Sequence, residues 1–323
     1  MTVAILLFIL GLCLLAVGGD RLVDAAAALA YRWHMPPMLV GATVVSVGTT
    51  LPEVVVATSS SLSGHAEIAY GNAIGSILCN TALIAALIMT IRPKRIERRC
   101  LAVPVLFFFL AAAWYAVQAY VFGGFSRLCG VVLLAWFVVY MAVCIRRAVR
   151  TPQPPAESSS ETPLGRTSTL RLLCRLAVGA ALIALGAGWT VTYGTRIAEG
   201  LGLPTTVIAL TGIAIGTSLP ELITAVAALI RGQGDLSLGN VLGASLMNLV
   251  LVSGTAITVC PFPLPPETTV GGASAALALD LPMLLIAMLL LCVPSLLRGR
   301  LFRLQGIALL FLYVAFCVLR LVF

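Results

Sequence analysis

The sequence repeats itself at a distance of 168 residues. GTTLPE at 48–53 falls on GTSLPE at 216–221, and with no gap GNAIGSILCN at 71–80 falls on GNVLGASLMN at 239–248. Gly64 meets Gly232, Glu67 meets Asp235, Pro36 meets Pro204 and Gly18 meets Gly186. Between 46 and 80, twelve of thirty-five positions are identical to their counterparts. Chance gives roughly three or four matches at this composition, so duplication is the better account.

What one copy can be follows from hydropathy. Of the 323 residues, 60% are hydrophobic and only 10% charged, and the mean hydropathy is +1.09. That is too little charge to cover a water-soluble domain. The apolar runs are about 20 residues long, the span of a membrane helix, and do not alternate as a barrel would. The runs predict ten helices, near 3–30, 37–62, 67–91, 101–121, 125–148, 169–198, 204–230, 235–259, 272–296 and 301–322. Each copy therefore holds five crossings. Five is odd, so the second copy enters the bilayer from the opposite side, which is an inverted repeat of the kind transporters use. The expected fold class is all-α integral membrane, with ten transmembrane helices in two inverted five-helix repeats. The first repeat covers 1–150 and the second 169–323. Between them TPQPPAESSSETPLGRTS, 151–168, is rich in Pro, Ser and Glu and reads as a flexible cytoplasmic linker.

The net charge of +8 does not point to nucleic acid, because the cations sit between apolar runs. Arg32, the 92–99 cluster, the 146–171 stretch, Arg231, Arg298, Arg300 and Arg303 fall on one side; the other holds little besides Arg127, Arg196 and Arg320. By the positive-inside rule both termini face away from the cytoplasm of a multi-pass cell-membrane protein. The first apolar run resembles a signal peptide but lacks a basic leading segment, and reads as a retained helix. The nine cysteines form no CxxC; Cys13, Cys79 and Cys292 lie in apolar runs and read as small packing residues.

Glu53 and Glu221 occupy the same repeat position, each mid-helix. A carboxylate at that depth costs several kcal/mol unless it is paired or solvated. A lone, protonated packing glutamate is the plain alternative, and two at matched positions weaken it. Ser46, Thr49, Thr50 and Glu53 share one helix face; Thr217, Ser218 and Glu221 repeat it, with Ala214 in place of the serine. Pro52 and Pro220 each free the carbonyl four residues earlier, Gly48 or Gly216. Asn72, Ser76 and Asn80 form a stripe at i, i+4 and i+8 in the third helix, and Asn240 and Asn248 answer it in the eighth. Asn72 and Asn240 also suit ordinary interhelical hydrogen bonding. Gly71, Gly75, Gly239 and Gly243 suit close helix approach. All the candidate ligands are oxygen, which disfavours zinc and copper. Such a set suits Ca2+, which takes about six to eight oxygens, and it suits Na+ as well.

The two G-T-[ST]-L-P-E…G-N-x-x-G stretches, within 41–80 and 209–248, resemble the α-repeats of the sodium/calcium exchanger family, in its prokaryotic form. The resemblance covers nearly the whole chain. It implies Ca2+ moved against Na+ by alternating access, with the ions as substrates, no cofactor, no enzymatic activity and a monomeric unit in the bilayer. It implies that Glu53 and Glu221 bind both ions, that Thr49 and Thr217 offer backbone carbonyls, and that Thr50, Ser76, Asn80 and Ser218 complete Na+ sites. Asn248 belongs to the same candidate set. Two departures stand out. Ala244 replaces a usual serine, which puts the number of Na+ ions in question. Asn248 stands where potassium-dependent members have Asp, which argues against K+ dependence.

Three other readings compete with this one. A proton/Ca2+ antiporter is the nearest, but that branch resembles G-N-x-x-E, whereas Thr49 and Thr217 follow the glycines here. GQGD at 232–235 matches an aspartyl-protease signature superficially, but no second aspartate motif partners it. Asp20 and Asp280 read as structural acids near helix ends. A channel is disfavoured because a tight anionic site slows passage.

Overall fold

The computed structural model of the chain describes residues 2–64, 66–150, 168–200, 218–264, 269–270 and 273–322. Among these the chain forms ten helices. α1 is Thr2–Arg32. α2 is Pro37–Leu62, with a π-helical turn at Gly41–Val45. α3 runs from Ala66–Leu78 through a π-helical turn, Cys79–Ile84, into Ala85–Ile91. α4 is Arg98–Phe122, α5 is Arg127–Arg150 and α6 is Thr169–Gly200. α7 is described over Leu219–Ile230. α8 is Gly234–Val259, with a π-helical turn at Asn248–Val252. α9 is Ala276–Arg298, opening on a π-helical turn at Ala276–Asp280, and α10 is Arg303–Val322.

Nine of the ten are long and apolar enough to cross a membrane. The expected seventh helix began at 204; its first part lies outside the described residues, as does nearly all of the linker. Phe311, Val138 and Leu106 are exposed on the helix surfaces, where a lipid-facing protein places its apolar side chains. The chain is thus an all-α, multi-pass membrane protein.

The helices sort into two compact units. The first comprises Met1–Thr49 and Arg147–Asn240; the second comprises Thr50–Arg146 and Val241–Phe323. In the first unit α1 and α6, the opening helices of the two copies, lie along each other with glycine facing backbone. A methyl group at Gly18 would come within 2.9 Å of the Gly179 carbonyl oxygen, and one at Gly186 within 2.8 Å of the Gly11 carbonyl oxygen. Small residues permit such an approach inside a membrane, where helices gain from packing rather than from burial. Gly11 and Gly179 are repeat counterparts, and so are Gly18 and Gly186. The contacts cross them, 18 with 179 and 11 with 186, so the two helices run antiparallel, as an inverted repeat requires. Leu22, Leu29, Leu172, Ile183 and Ala228 complete this core. Asp20, a lone acid in the sequence, pairs with Arg231 at 2.9 Å, and Asp24 pairs with the same guanidinium.

In the second unit Ala57 of α2, Ala69 and Ala73 of α3, and Val252 and Ala256 of α8 form one small-residue core. Ser61 closes the same contact by donating to the carbonyls of Ala256 (3.3 Å) and Cys260 (3.2 Å). The buried carboxylate of Asp280 meets Arg320 of α10 at 2.9 Å, so this acid too is held in an ion pair. Gln305 ties α10 to α9 through the carbonyls of Leu290 (2.7 Å) and Leu291 (2.8 Å). Short strands form in the loops, one pair joining two distant loops and one lying within a single loop, which the helix pattern did not anticipate. β1, Gly124–Phe125, pairs antiparallel with β2, Phe262–Pro263. β3, Thr269–Val270, pairs with β4, Ala273–Ser274. Of the three cysteines expected to pack, Cys79 and Cys292 are buried, whereas Cys13 is exposed on α1.

Candidate cation site

The candidate ligands divide between the two units. In the second, Thr50 and Glu53 of α2 are fully buried. The backbone carbonyl of Glu53 accepts a hydrogen bond from Asn72 Nδ2 of α3 at 3.2 Å, which pins the two helices together beside the carboxylate. One and two turns further along α3 come Ser76 and Asn80, at 2% and 0% exposure. The Ser76 hydroxyl and both amide atoms of Asn80 make no hydrogen bond among the described residues. Asn248 of α8 is in the same condition: fully buried, with neither amide atom partnered among the described residues. The π-helical turn that starts at Asn248 packs against the first part of α3.

Buried polar atoms are almost always paired, so each exception calls for a ligand or another explanation. Here two of the exceptions, Asn80 and Asn248, coincide in the repeat. Asn80 lies at the head of the π-helical turn of α3 and Asn248 opens that of α8, and the two are counterparts at the 168-residue shift. A π turn inserts one residue into the helix and re-aims the side chains around it, and such turns gather at functional positions. Ser253 secures the second one by donating to the Asn248 carbonyl at 3.1 Å. No local sequence feature marks these turns; the only hint was the polar stripe itself.

In the first unit Glu221 lies in the first turn of α7, fully buried. Ser218 precedes that turn at 1% exposure, and its hydroxyl is unpartnered among the described residues. Thr49, at 2% exposure, donates to the Ser46 carbonyl at 3.3 Å and lies 3.5 Å from Asn240 Oδ1. Nearby, Ser237 of α8 donates to the Ala225 carbonyl of α7 at 2.9 Å. A side chain at Gly239 would strike the Met38 carbonyl, so α2 and α8 approach here through backbone. Gly71 and Gly75, expected in the same role, have nothing within 4 Å of where a side chain would start. Thr217 lies outside the described residues, and so does the Gly216 carbonyl expected to be freed by Pro220.

The geometry separates two kinds of asparagine that the sequence placed in one stripe. Asn72 and Asn240 bind neighbouring helices, at Glu53 and at Thr49. The side-chain amides of Asn80 and Asn248 hydrogen-bond to nothing among the described residues. Three other buried hydroxyls near the motifs are satisfied by their own helices: Thr43 by the Leu39 carbonyl, Thr224 by that of Pro220 and Ser245 by that of Val241. No three His, Cys, Asp or Glu side chains gather among the described residues. The oxygens on offer around each glutamate are neutral hydroxyls, amides and carbonyls, the donor chemistry of hard cations.

Apolar spanning helices, a duplicated chain whose opening helices run antiparallel, and a buried carboxylate in each copy are the architecture of a membrane transporter. The family model for the sodium/calcium exchanger protein matches residues 3–146 and 171–322. Inner membrane protein YrbG of Escherichia coli (strain K12) is 34% identical over 273 residues, covering 82% of this chain and 83% of that protein. The sodium/calcium exchanger MaX1 of Methanosarcina acetivorans is 28% identical over 351 residues, covering 98% of each. A solved structure of the sodium-calcium exchanger NCX_Mj, soaked with 10 mM Na+ and zero Ca2+, superposes with a TM-score of 0.80 at 29% identity, covering 98% of both chains. The chain belongs to the sodium/calcium exchanger family.

Proposed function

We propose that the chain exchanges Ca2+ for Na+ across the cytoplasmic membrane by alternating access. Glu53 and Glu221 supply the negative charge for either load. Thr49 and Thr217 contribute backbone carbonyls, and Thr50, Ser76, Asn80, Ser218 and Asn248 contribute neutral oxygens. The observation that carries this reading is the matched pair Asn80 and Asn248: buried, unpartnered amides, each at a π-helical turn, at one repeat position. A buried amide oxygen left bare at two related places is what a transient cation requires and what a packing role does not.

Coupling follows from charge. Without cargo the two carboxylates carry charge in a low-dielectric interior, which disfavours reorientation. One Ca2+ or a set of Na+ ions neutralises them, and both loads compete for the same carboxylates. Loaded forms then switch sides and the unloaded form does not. Protons compete for the same oxygens, so flux falls at acid pH. Asn248 is neutral and adds no charge for K+. The repeats at 1–150 and 169–323 act as the two halves, joined by 151–168, with both termini outside and one chain as the working unit.

Everted membrane vesicles test this. Uptake of radiolabelled Ca2+ should depend on an imposed Na+ gradient and be indifferent to replacing other salts with K+. Uptake that needs K+, or that ignores Na+, overturns it.

A further inference from the structure

Two backbone clasps close the second unit, and exchanging the copies of the repeat exchanges one clasp for the other. The first is β1 with β2, joining the α4–α5 loop to the α8–α9 loop. The second joins the α9–α10 loop to the α3–α4 loop: Arg95 bridges Arg300, Ile96 N–H donates to the Gly299 carbonyl at 2.9 Å, and Leu301 N–H donates to the Lys94 carbonyl at 2.8 Å. Both follow a helix capped by a left-handed glycine, Gly123 at φ 66° and Gly299 at φ 64°. Their side chains have nothing in common. The first clasp is filled by aromatic rings, with Phe125 at 4.3 Å from Tyr115 and 5.6 Å from Phe262 between centroids. It shows that the clasp itself needs no arginine.

The second clasp surrounds a pocket of about 600 Å³ lined by Arg95, Ile96, Arg98, Arg298, Gly299 and Arg300. Four arginines thus line one space. Among the described residues none of the four is ion-paired with a carboxylate. Their positions are nonetheless held. Arg98 donates to the Leu297 carbonyl at 2.7 Å, and Arg298 and Arg300 lie against the Phe302 ring at 5.3 and 4.5 Å. Like charges gathered this closely repel unless an anion joins them, and the planar guanidinium fork matches phosphate oxygens. A positive-inside bias explains arginines on this side of the membrane, but not four of them lining one cavity.

The pocket's place says which phosphate. Arg98 begins α4 and Arg298 ends α9, so the cavity lies where membrane helices emerge, level with lipid headgroups. Leu297 and Leu304, beside Arg298 and Arg303, are 71% and 77% exposed and offer apolar surface for acyl chains. We propose that this pocket binds the headgroup phosphate of an anionic phospholipid. Basic pockets between transmembrane helices take such headgroups.

Native mass spectrometry of the detergent-solubilised protein, titrated with phosphatidylglycerol or with phosphatidylcholine of the same chains, tests it. Phosphatidylglycerol should be retained and phosphatidylcholine should not. The double variant Arg95→Gln/Arg300→Gln should bind phosphatidylglycerol about 30-fold more weakly, from the loss of two interfacial cations. Arg146→Gln/Arg147→Gln, on the same side but outside the pocket, should bind it as the wild type does. Thermal unfolding and monodispersity of each variant confirm the fold; should the first pair fail to fold, Arg95→Lys/Arg300→Lys replaces it and should show a partial loss. Equal retention of the two lipids, or equal losses in both double variants, overturns the proposal. Displacement of the lipid by millimolar inorganic phosphate shows a site for a soluble anion and overturns the lipid assignment.

Discussion

Laid over each other at the 168-residue shift, the two copies agree in charge and differ in hydroxyls. Glu53 matches Glu221, and Asn80 matches Asn248; but Ser46 faces Ala214, Ser76 faces Ala244 and Thr50 faces Ser218. The first copy is the richer in oxygen. On the proposed reading this splits the two cargoes. A divalent ion needs the charge of both copies, so its contribution to the pattern is symmetric. Na+ ions also need neutral oxygens, and these are supplied unequally. Duplication gave both copies one set of parts, and the substitutions since then fall on the hydroxyls rather than on the carboxylates.

The comparison breaks most sharply at the glutamates. Glu53→Gln and Glu221→Gln should each abolish Na+-dependent Ca2+ uptake, a loss of about a hundredfold or more, while each protein inserts and purifies as the wild type does. Near-normal flux in either variant shows that its copy carries no cargo charge. Smaller effects are expected at the asparagines, where two readouts should move oppositely. Asn80→Leu and Asn248→Leu replace an unpartnered buried amide by an apolar group of similar shape. They should weaken apparent Ca2+ affinity about tenfold and leave the unfolding midpoint unchanged or raised. Asn72→Leu and Asn240→Leu remove interhelical hydrogen bonds and should cost about 1 kcal/mol of stability each. Equal destabilisation in all four contradicts the distinction. The smallest effects lie at the unequal pair. Ser76→Ala should raise the Na+ concentration for half-maximal exchange about threefold, and Ala244→Ser should lower it, each shift being worth about one weak hydroxyl contact. No shift in either places Na+ elsewhere.

Much of this was legible in the sequence because it depends on hydropathy and on repetition. Runs of apolar residues fix the described helix ends to within a few positions, and an odd number of crossings per copy fixes the inversion that Gly11, Gly18, Gly179 and Gly186 display in α1 and α6. The π-helical turns were not legible. Whether the chain at Asn80 or Asn248 bonds to the fourth or the fifth residue along is decided by packing, and no residue type announces it. For the same reason Asn72 and Asn80 looked alike, since spacing places them on one face but cannot say which one meets a neighbouring carbonyl. The loop clasps were hidden because they are two-residue pairings between segments more than a hundred residues apart. The ion pairs of Asp20 with Arg231 and Asp280 with Arg320 also join different helices, 211 and 40 residues apart. Both acids nevertheless read as structural in the sequence, because each is a lone acid near a helix end.

The central claim is that Ca2+ crosses only in exchange for an ion that takes its place on the glutamates, and that this ion is Na+. Purified protein in liposomes loaded with radiolabelled Ca2+ tests it directly, with the outside solution holding Na+, Ca2+, or neither at a series of imposed pH gradients. Efflux should be fast into Na+, measurable into Ca2+ by self-exchange, and absent into a solution with neither, whatever the pH gradient. Efflux that follows the pH gradient with Na+ absent, or that proceeds with no ion outside, would contradict it.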